Sequence, residues 1–162
     1  MPFYRELMGT NALEAGPSVL AGLAALVDSM KADEVVHLLR SDWREQVMGA
    51  WLSLAHPFDD AVLAAVTRAL ETSGGSLTAP PLLAAVVTLE APTATASIQA
   101  YYEADVAGGW GSAGLALAAA ATLPNSPLLA PTAADEETFK ALSVLANCLK
   151  PVADQTAATG DT

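Results

Sequence analysis

Apolar residues recur along this chain at helical spacing. After Asp42, residues Trp43, Val47 and Trp51 fall at i, i+4 and i+8, one face of a helix running to Leu54, with Asp42 at its N-cap and Glu45 three residues on. The next helix, 59–70, is the clearest. Asp59 can cap it, Phe58 and Leu63 can form a hydrophobic staple, Ala61 to Leu70 fill it, and Gly74-Gly75 closes it. The same reading predicts helices over 3–14, 17–29, 33–40, 79–90, 94–105, 112–123 and 135–149. Gly16-Pro17, the Pro80-Pro81 start and Pro92 punctuate them. Residues 1–151 then form one helical domain. Residues 152–162 have little to bury and read as a flexible tail.

The helices also repeat. Helices end at Leu54, Leu89 and Leu123, followed by Pro57, Pro92 and Pro124, prolines 35 and 32 residues apart. A two-helix unit with a proline-bearing turn at this period predicts an all-α fold of stacked antiparallel helix pairs, a HEAT-like α-solenoid. The alternative is an orthogonal helix bundle that happens to turn at prolines. Composition agrees with either: 52% of residues are apolar but only 6% aromatic, so the core is built from Ala, Leu and Val.

Charge narrows the partners. Seven Lys and Arg face eighteen Asp and Glu, a net charge of −11. Such a surface repels nucleic acid, whose counterions only Lys and Arg displace, and it repels an anionic membrane surface. No Lys or Arg stands between Arg68 and Lys140, whereas Glu71, Glu90, Glu103, Asp105, Asp135, Glu136 and Glu137 do. The uncharged stretch 106–134 is broken by glycines and prolines, and its apolar run Leu115–Leu123 is too short to span a bilayer. Met1 to Glu6 lacks the basic and then apolar regions of a signal peptide. The single cysteine, Cys148, suits a reducing compartment, so a cytoplasmic location is expected. Cys148 lies in the apolar stretch Leu145–Leu149, where a small buried hydrophobe is expected.

Candidate chemistry is thin. Gly109-Trp110-Gly111-Ser112-Ala113-Gly114 matches G-x-G-x-x-G, and Asp135 follows its last glycine by 21 residues. A dinucleotide fingerprint needs a strand before it, and residues 100–106 read as helix. The glycines are better explained by a helix end and close helix packing. His37 and His56 form no H-x-x-x-H pair of metal ligands, and no serine sits in a G-x-S-x-G elbow. Asp59 with Asp60, and Glu103 with Asp105, read as caps or as acids pointing different ways. No cofactor, metal or catalytic residue is expected. Tyr101, Tyr102 and Trp110 remain, either as interface anchors beside Glu103 and Asp105 or as a seal between helix pairs.

Two stretches together, Phe3-Tyr4-Arg5-Glu6-Leu7-Met8-Gly9-Thr10-Asn11 and Leu38-Leu39-Arg40-Ser41-Asp42-Trp43-Arg44 through Ala50-Trp51, resemble the largely bacterial domain-of-unknown-function six thousand family. That family shows an F-Y-x-x-L start and an L-L-x-x-D-W-R…A-W core. The likeness covers the first half of the chain; the later half lacks good equivalents of the family's Tyr-rich and Gln-bearing positions. It implies a compact HEAT-like fold and no activity. Asp42 and Arg44 are explained at a helix start by capping and a structural ion pair.

These features favour a non-enzymatic binding module, an immunity-type protein that neutralises a basic toxin or effector through an acidic face. The candidate contact residues are Glu71, Glu90, Tyr101, Tyr102, Glu103, Asp105 and Trp110. A small helical enzyme using scattered carboxylates and a structural homo-oligomer subunit are the alternatives.

Overall fold

The computed structural model describes residues 3–124 and 128–150, so the expected tail at 152–162 lies outside the described residues. Within them the chain is all helical. Its α-helices are α1 (Pro17–Val27), α2 (Ala32–Leu39), α3 (Trp43–Leu52), α4 (Asp60–Thr72), α5 (Ala79–Thr88), α6 (Ala94–Gly108), α7 (Ala113–Ala121) and α8 (Ala133–Leu149). None is long and apolar enough to cross a membrane.

The repeat appears in the packing. Each pair, α2 with α3, α4 with α5 and α6 with α7, packs internally. The first members then pack on one another in order (α2 on α4, α4 on α6), as do the second members (α3 on α5, α5 on α7). This nearest-neighbour pattern is that of a stacked solenoid. Pro57 and Pro92 lie between successive pairs, and Pro124 follows α7. The C-terminal α8 lies across the second layer against α5 and α7. It does so with the stripe Phe139, Leu142, Ala146 and Leu149, all buried. α5 is therefore covered from several sides, which is why its sequence, Ala-Pro-Pro-Leu-Leu-Ala-Ala-Val-Val-Thr, is apolar with almost no polar face.

Local chemistry explains the boundaries and corrects several expectations. Asp59 caps α4, its Oδ1 accepting from the amides of Ala61 at 2.9 Å and Val62 at 3.0 Å. The staple beside it does not form, for Phe58 is 87% exposed. Asp42 occupies the N-cap of α3, but its carboxylate makes no capping bond. The expected ion pair with Arg44 is also absent among the described residues, where the only salt bridge joins Arg68 and Glu71. The predicted helix over 3–14 is instead two single 3₁₀ turns, Phe3–Glu6 and Asn11–Glu14. Gly9 between them has φ +57°, a left-handed conformation that ends one turn, and its amide donates to the Leu77 carbonyl at 2.6 Å.

The two N-terminal motifs meet in space. The Trp51 side chain is fully buried in α3, and its Nε1 donates to the Leu7 carbonyl at 3.0 Å. Tyr4 meets Trp43 edge-on with ring centroids 5.8 Å apart. The Arg44 guanidinium lies 4.6 Å from the Trp43 ring centre, and its Nε donates to the Tyr4 hydroxyl at 3.1 Å. Arg44 is thus held by aromatic faces rather than by Asp42.

Candidate functional site: the edge formed by the turns within each helix pair

Three turns connect the members of the pairs: Ser41–Asp42, the loop 73–78, and the loop 109–112. They come together at one edge. Residues of the first two line a common groove of about 450 Å³. A Cβ on Gly74 would stand 3.9 Å from the Trp110 ring, so the third turn adjoins the second. Two of the chain's three tryptophans, Trp43 and Trp110, are therefore at this edge, while Trp51 belongs to the core.

The third turn is organised by Asp105, which is only 2% exposed. Gly109, at φ +65°, ends α6 in the left-handed conformation that glycine adopts without steric cost, and its amide returns to the Asp105 carbonyl at 2.7 Å. The Asp105 carboxylate accepts from the Gly111 amide at 3.1 Å, the Ser112 amide at 2.9 Å and the Tyr101 hydroxyl at 2.7 Å. It sits at the N-terminus of α7, where a negative charge is favoured by the exposed amides and the helix dipole. The G-x-G-x-x-G run thus does bind an anion through its backbone, but the anion is a carboxylate of the same chain. Its last glycine, Gly114, allows close approach of α8, since a Cβ there would lie 2.6 Å from the Asp135 carboxylate. Helix α6 rather than a strand leads into the run, so it lacks the context of a dinucleotide fingerprint.

Burial raises the pKa of the Tyr101 hydroxyl well above its ordinary value near 10, and the Asp105 carboxylate beside it adds to the shift. The phenol therefore stays protonated as a donor. The sign for stability follows: above pH 10 the unfolded chain releases this proton while the folded chain keeps it, so the contribution is full below pH 10 and is lost as pH rises further. Tyr101→Phe should cost about 1.5–3 kcal/mol near neutrality, the worth of a hydrogen bond to a charged group. The gap from wild type should shrink above pH 10 in urea unfolding measured across pH. A gap that does not change with pH would contradict the assignment.

These placements divide the candidate contact residues. Tyr101 and Asp105 are buried and can touch no partner in the folded state, which corrects their assignment to an interface. Trp110 is half-buried, its ring 6.2 Å from that of Tyr101, and Tyr102 is half-buried against the core. They act first as the seal between helix pairs, with Trp110 keeping a partly open surface. Glu71 is exposed at the end of α4, 3.4 Å from Arg68, and accepts from the Ser97 hydroxyl at 2.9 Å. Glu103 is exposed on α6, where Gln99 donates to it at 3.0 Å. Glu103 lies six residues beyond Ser97, roughly two-thirds of a turn around the helix, so it faces away from the side that meets Glu71. The four acids Glu71, Glu90, Glu103 and Asp105 do not form one face.

Glu90 has a feature that sequence does not reveal. It follows α5 with φ +53°, the one positive-φ residue among those described that is not glycine. Its amide donates to the Val87 carbonyl at 3.1 Å, and the Ala91 amide donates to Val86 at 3.2 Å, the paired bonds of a Schellman ending. Glycine is the usual residue there. Glu90→Gly should stabilise the protein by about 0.5–1 kcal/mol, read as a rise in urea midpoint at unchanged slope. An unchanged or lower midpoint would mean the glutamate is not strained.

The remaining reactive groups are apart. Among the described residues no cluster of three or more His, Cys, Asp and Glu could hold a metal ion. The His56 Nε2 donates to the Met30 carbonyl at 3.0 Å, a structural contact, and His37 is exposed. Cys148 is exposed, against the expectation of a buried hydrophobe, because the buried stripe of α8 runs through Ala146 and Leu149 and leaves position 148 outward. No family model, no curated protein and no solved structure matches the chain.

Proposed function

We propose that this chain is a non-enzymatic protein-binding module of the immunity type, which captures and neutralises a basic toxin or effector through its acidic surface. The observation that carries this reading is the state of the surface carboxylates. Twelve Asp and Glu of the described residues are exposed, and only Glu71 pairs with a basic side chain. Unpaired exposed charges of one sign sum to a field that attracts an oppositely charged partner and hastens its arrival. From Glu71 to Glu137 that field is unbroken by any Lys or Arg. The resemblance of the first half to an uncharacterised family adds no activity to this reading.

The test is capture from the native host with wild type and with a variant carrying Glu71→Lys, Glu90→Lys and Glu103→Lys. Glu90 and Glu103 are exposed, so folding should change little at those sites, within about 0.5 kcal/mol each, whereas Glu71→Lys also removes the acceptor of the buried Ser97 hydroxyl and should cost about 1–3 kcal/mol. Wild type should recover a basic protein, and the variant should recover roughly tenfold less of it at low salt. Equal recovery by both proteins, or recovery only of acidic partners, would remove the reading. Self-association without any other partner would favour the homo-oligomer.

A further inference from the structure

We propose that the groove between the Ser41–Asp42 turn and the 73–78 loop is the anchor site for one arginine side chain of the basic partner. The guanidinium meets the Asp42 carboxylate and the alkyl stem lies along Trp43. This rests on the reading of the chain as a binder of basic proteins and names where that binding is anchored.

Three independent observations converge there. The first is Asp42 itself, exposed at an N-cap position yet making no capping bond, and with no hydrogen bond or ion pair from its carboxylate among the described residues. A carboxylate at a helix start ordinarily accepts from the first-turn amides. This one remains available at the groove wall. Its full negative charge exceeds the roughly half positive charge of the helix terminus, and Glu45 in the same first turn adds to it.

The second observation is Trp43, half-buried and lining the groove while Arg44 stacks 4.6 Å from its ring centre and is turned toward Tyr4. Trp43 is thus already a surface on which this chain holds a guanidinium. Trp and Arg are also the residue types that dominate binding hot spots.

The third is the pair Gly74-Gly75. Neither glycine has positive φ; those that do among the described residues are Gly9, Gly109 and Gly111. A Cβ on Gly75 would meet nothing within 4 Å, and one on Gly74 would meet only Trp110, at ordinary contact distance. Neither conformation nor packing requires glycine at these positions. What the missing side chains leave is an open groove whose hydroxyls, from Ser41, Thr72, Ser73 and Thr78, are bonded within the chain. A long side chain with a cationic end fits a site with an aromatic wall, a backbone floor and a carboxylate at one side.

The experiment uses a defined probe: N-acetyl-Gly-Arg-Gly amide against its neutral citrulline counterpart, added to the isotopically labelled full chain and followed by NMR. The arginine peptide should shift the Gly74 and Gly75 amides and the Trp43 indole signal saturably, and the citrulline peptide should not. Asp42→Asn should weaken the arginine response at least tenfold. Gly75→Phe, which fills the groove, should abolish it, while Gly75→Ala should keep it. All three variants should retain the wild-type circular dichroism. Shifts spread evenly over the exposed carboxylates, a Gly75→Phe variant that binds like wild type, or no shift at millimolar peptide would each overturn the assignment. If the groove variants bind normally while the charge-reversed protein loses its basic partner, only the anchor is wrong. If wild type recovers no basic partner, the functional reading fails instead.

Discussion

Trp51→Ala should destabilise the protein by about 3–5 kcal/mol, among the largest costs of any single truncation here. The side chain is fully buried in the last turn of α3, so its removal opens a cavity and forfeits its dispersion contacts. It also strands the Leu7 carbonyl, which accepts from Trp51 Nε1 at 3.0 Å and thereby ties the N-terminal turns to α3. Trp51→Phe separates the two effects. It keeps most of the volume and loses the N–H, and should cost about 1–2 kcal/mol. Urea unfolding measures both. A Trp51→Ala cost of a few tenths would contradict the burial, and a Phe variant as damaged as Ala would assign the whole effect to the hydrogen bond.

Asp105→Ala should cost about 3–5 kcal/mol although it removes a charge from an over-acidic protein. Three buried or half-buried donors, the Tyr101 hydroxyl and the Gly111 and Ser112 amides, lose their acceptor together. Each hydrogen bond to a charged group contributes about 1.5–3 kcal/mol, and neighbours in one network do not add fully. Asp105→Asn is the finer probe. The amide oxygen can accept from some of these donors, but the NH₂ accepts from none, so the cost should fall to about half. Had Asp105 been a surface contact residue, both substitutions would leave stability within about 0.5 kcal/mol. That outcome would return it to the interface.

The helix positions were legible because they depend on local signals: the Asp59 cap, the Pro80-Pro81 start and the Trp43-Val47-Trp51 face act within a few residues. The proline period was legible for the same reason, since each proline ends a unit. What α8 does was not. An amphipathic helix says which face it buries and leaves open what it buries that face against, so its place across α5 and α7 came only from the structure. Asp105 was misplaced because an acid close in sequence to Tyr101, Tyr102 and Trp110 was read as part of a contact surface with them. The i, i+4 spacing of Tyr101 and Asp105, followed by a Gly-rich turn needing an anion, was the available signal. Phe58 was assigned to a staple that the proline-bearing turn does not form, and Gly9 interrupts what periodicity suggests is continuous helix. The groove at the turn edge is assembled from turns more than 30 residues apart in sequence, and no local pattern announces it.

The proposed capture of a basic partner through an unneutralised acidic surface predicts how the association rate of the recovered pair varies with ionic strength. At about 0.01 M salt the screening length is about 30 Å and at 0.15 M about 8 Å, so the field reaches an approaching partner from much farther in the first case. The association rate should fall by roughly tenfold or more between the two salt concentrations while the dissociation rate changes little. The variant carrying Glu71→Lys, Glu90→Lys and Glu103→Lys should show a flatter dependence. An association rate that does not respond to salt, in a complex that nevertheless forms, would contradict the account.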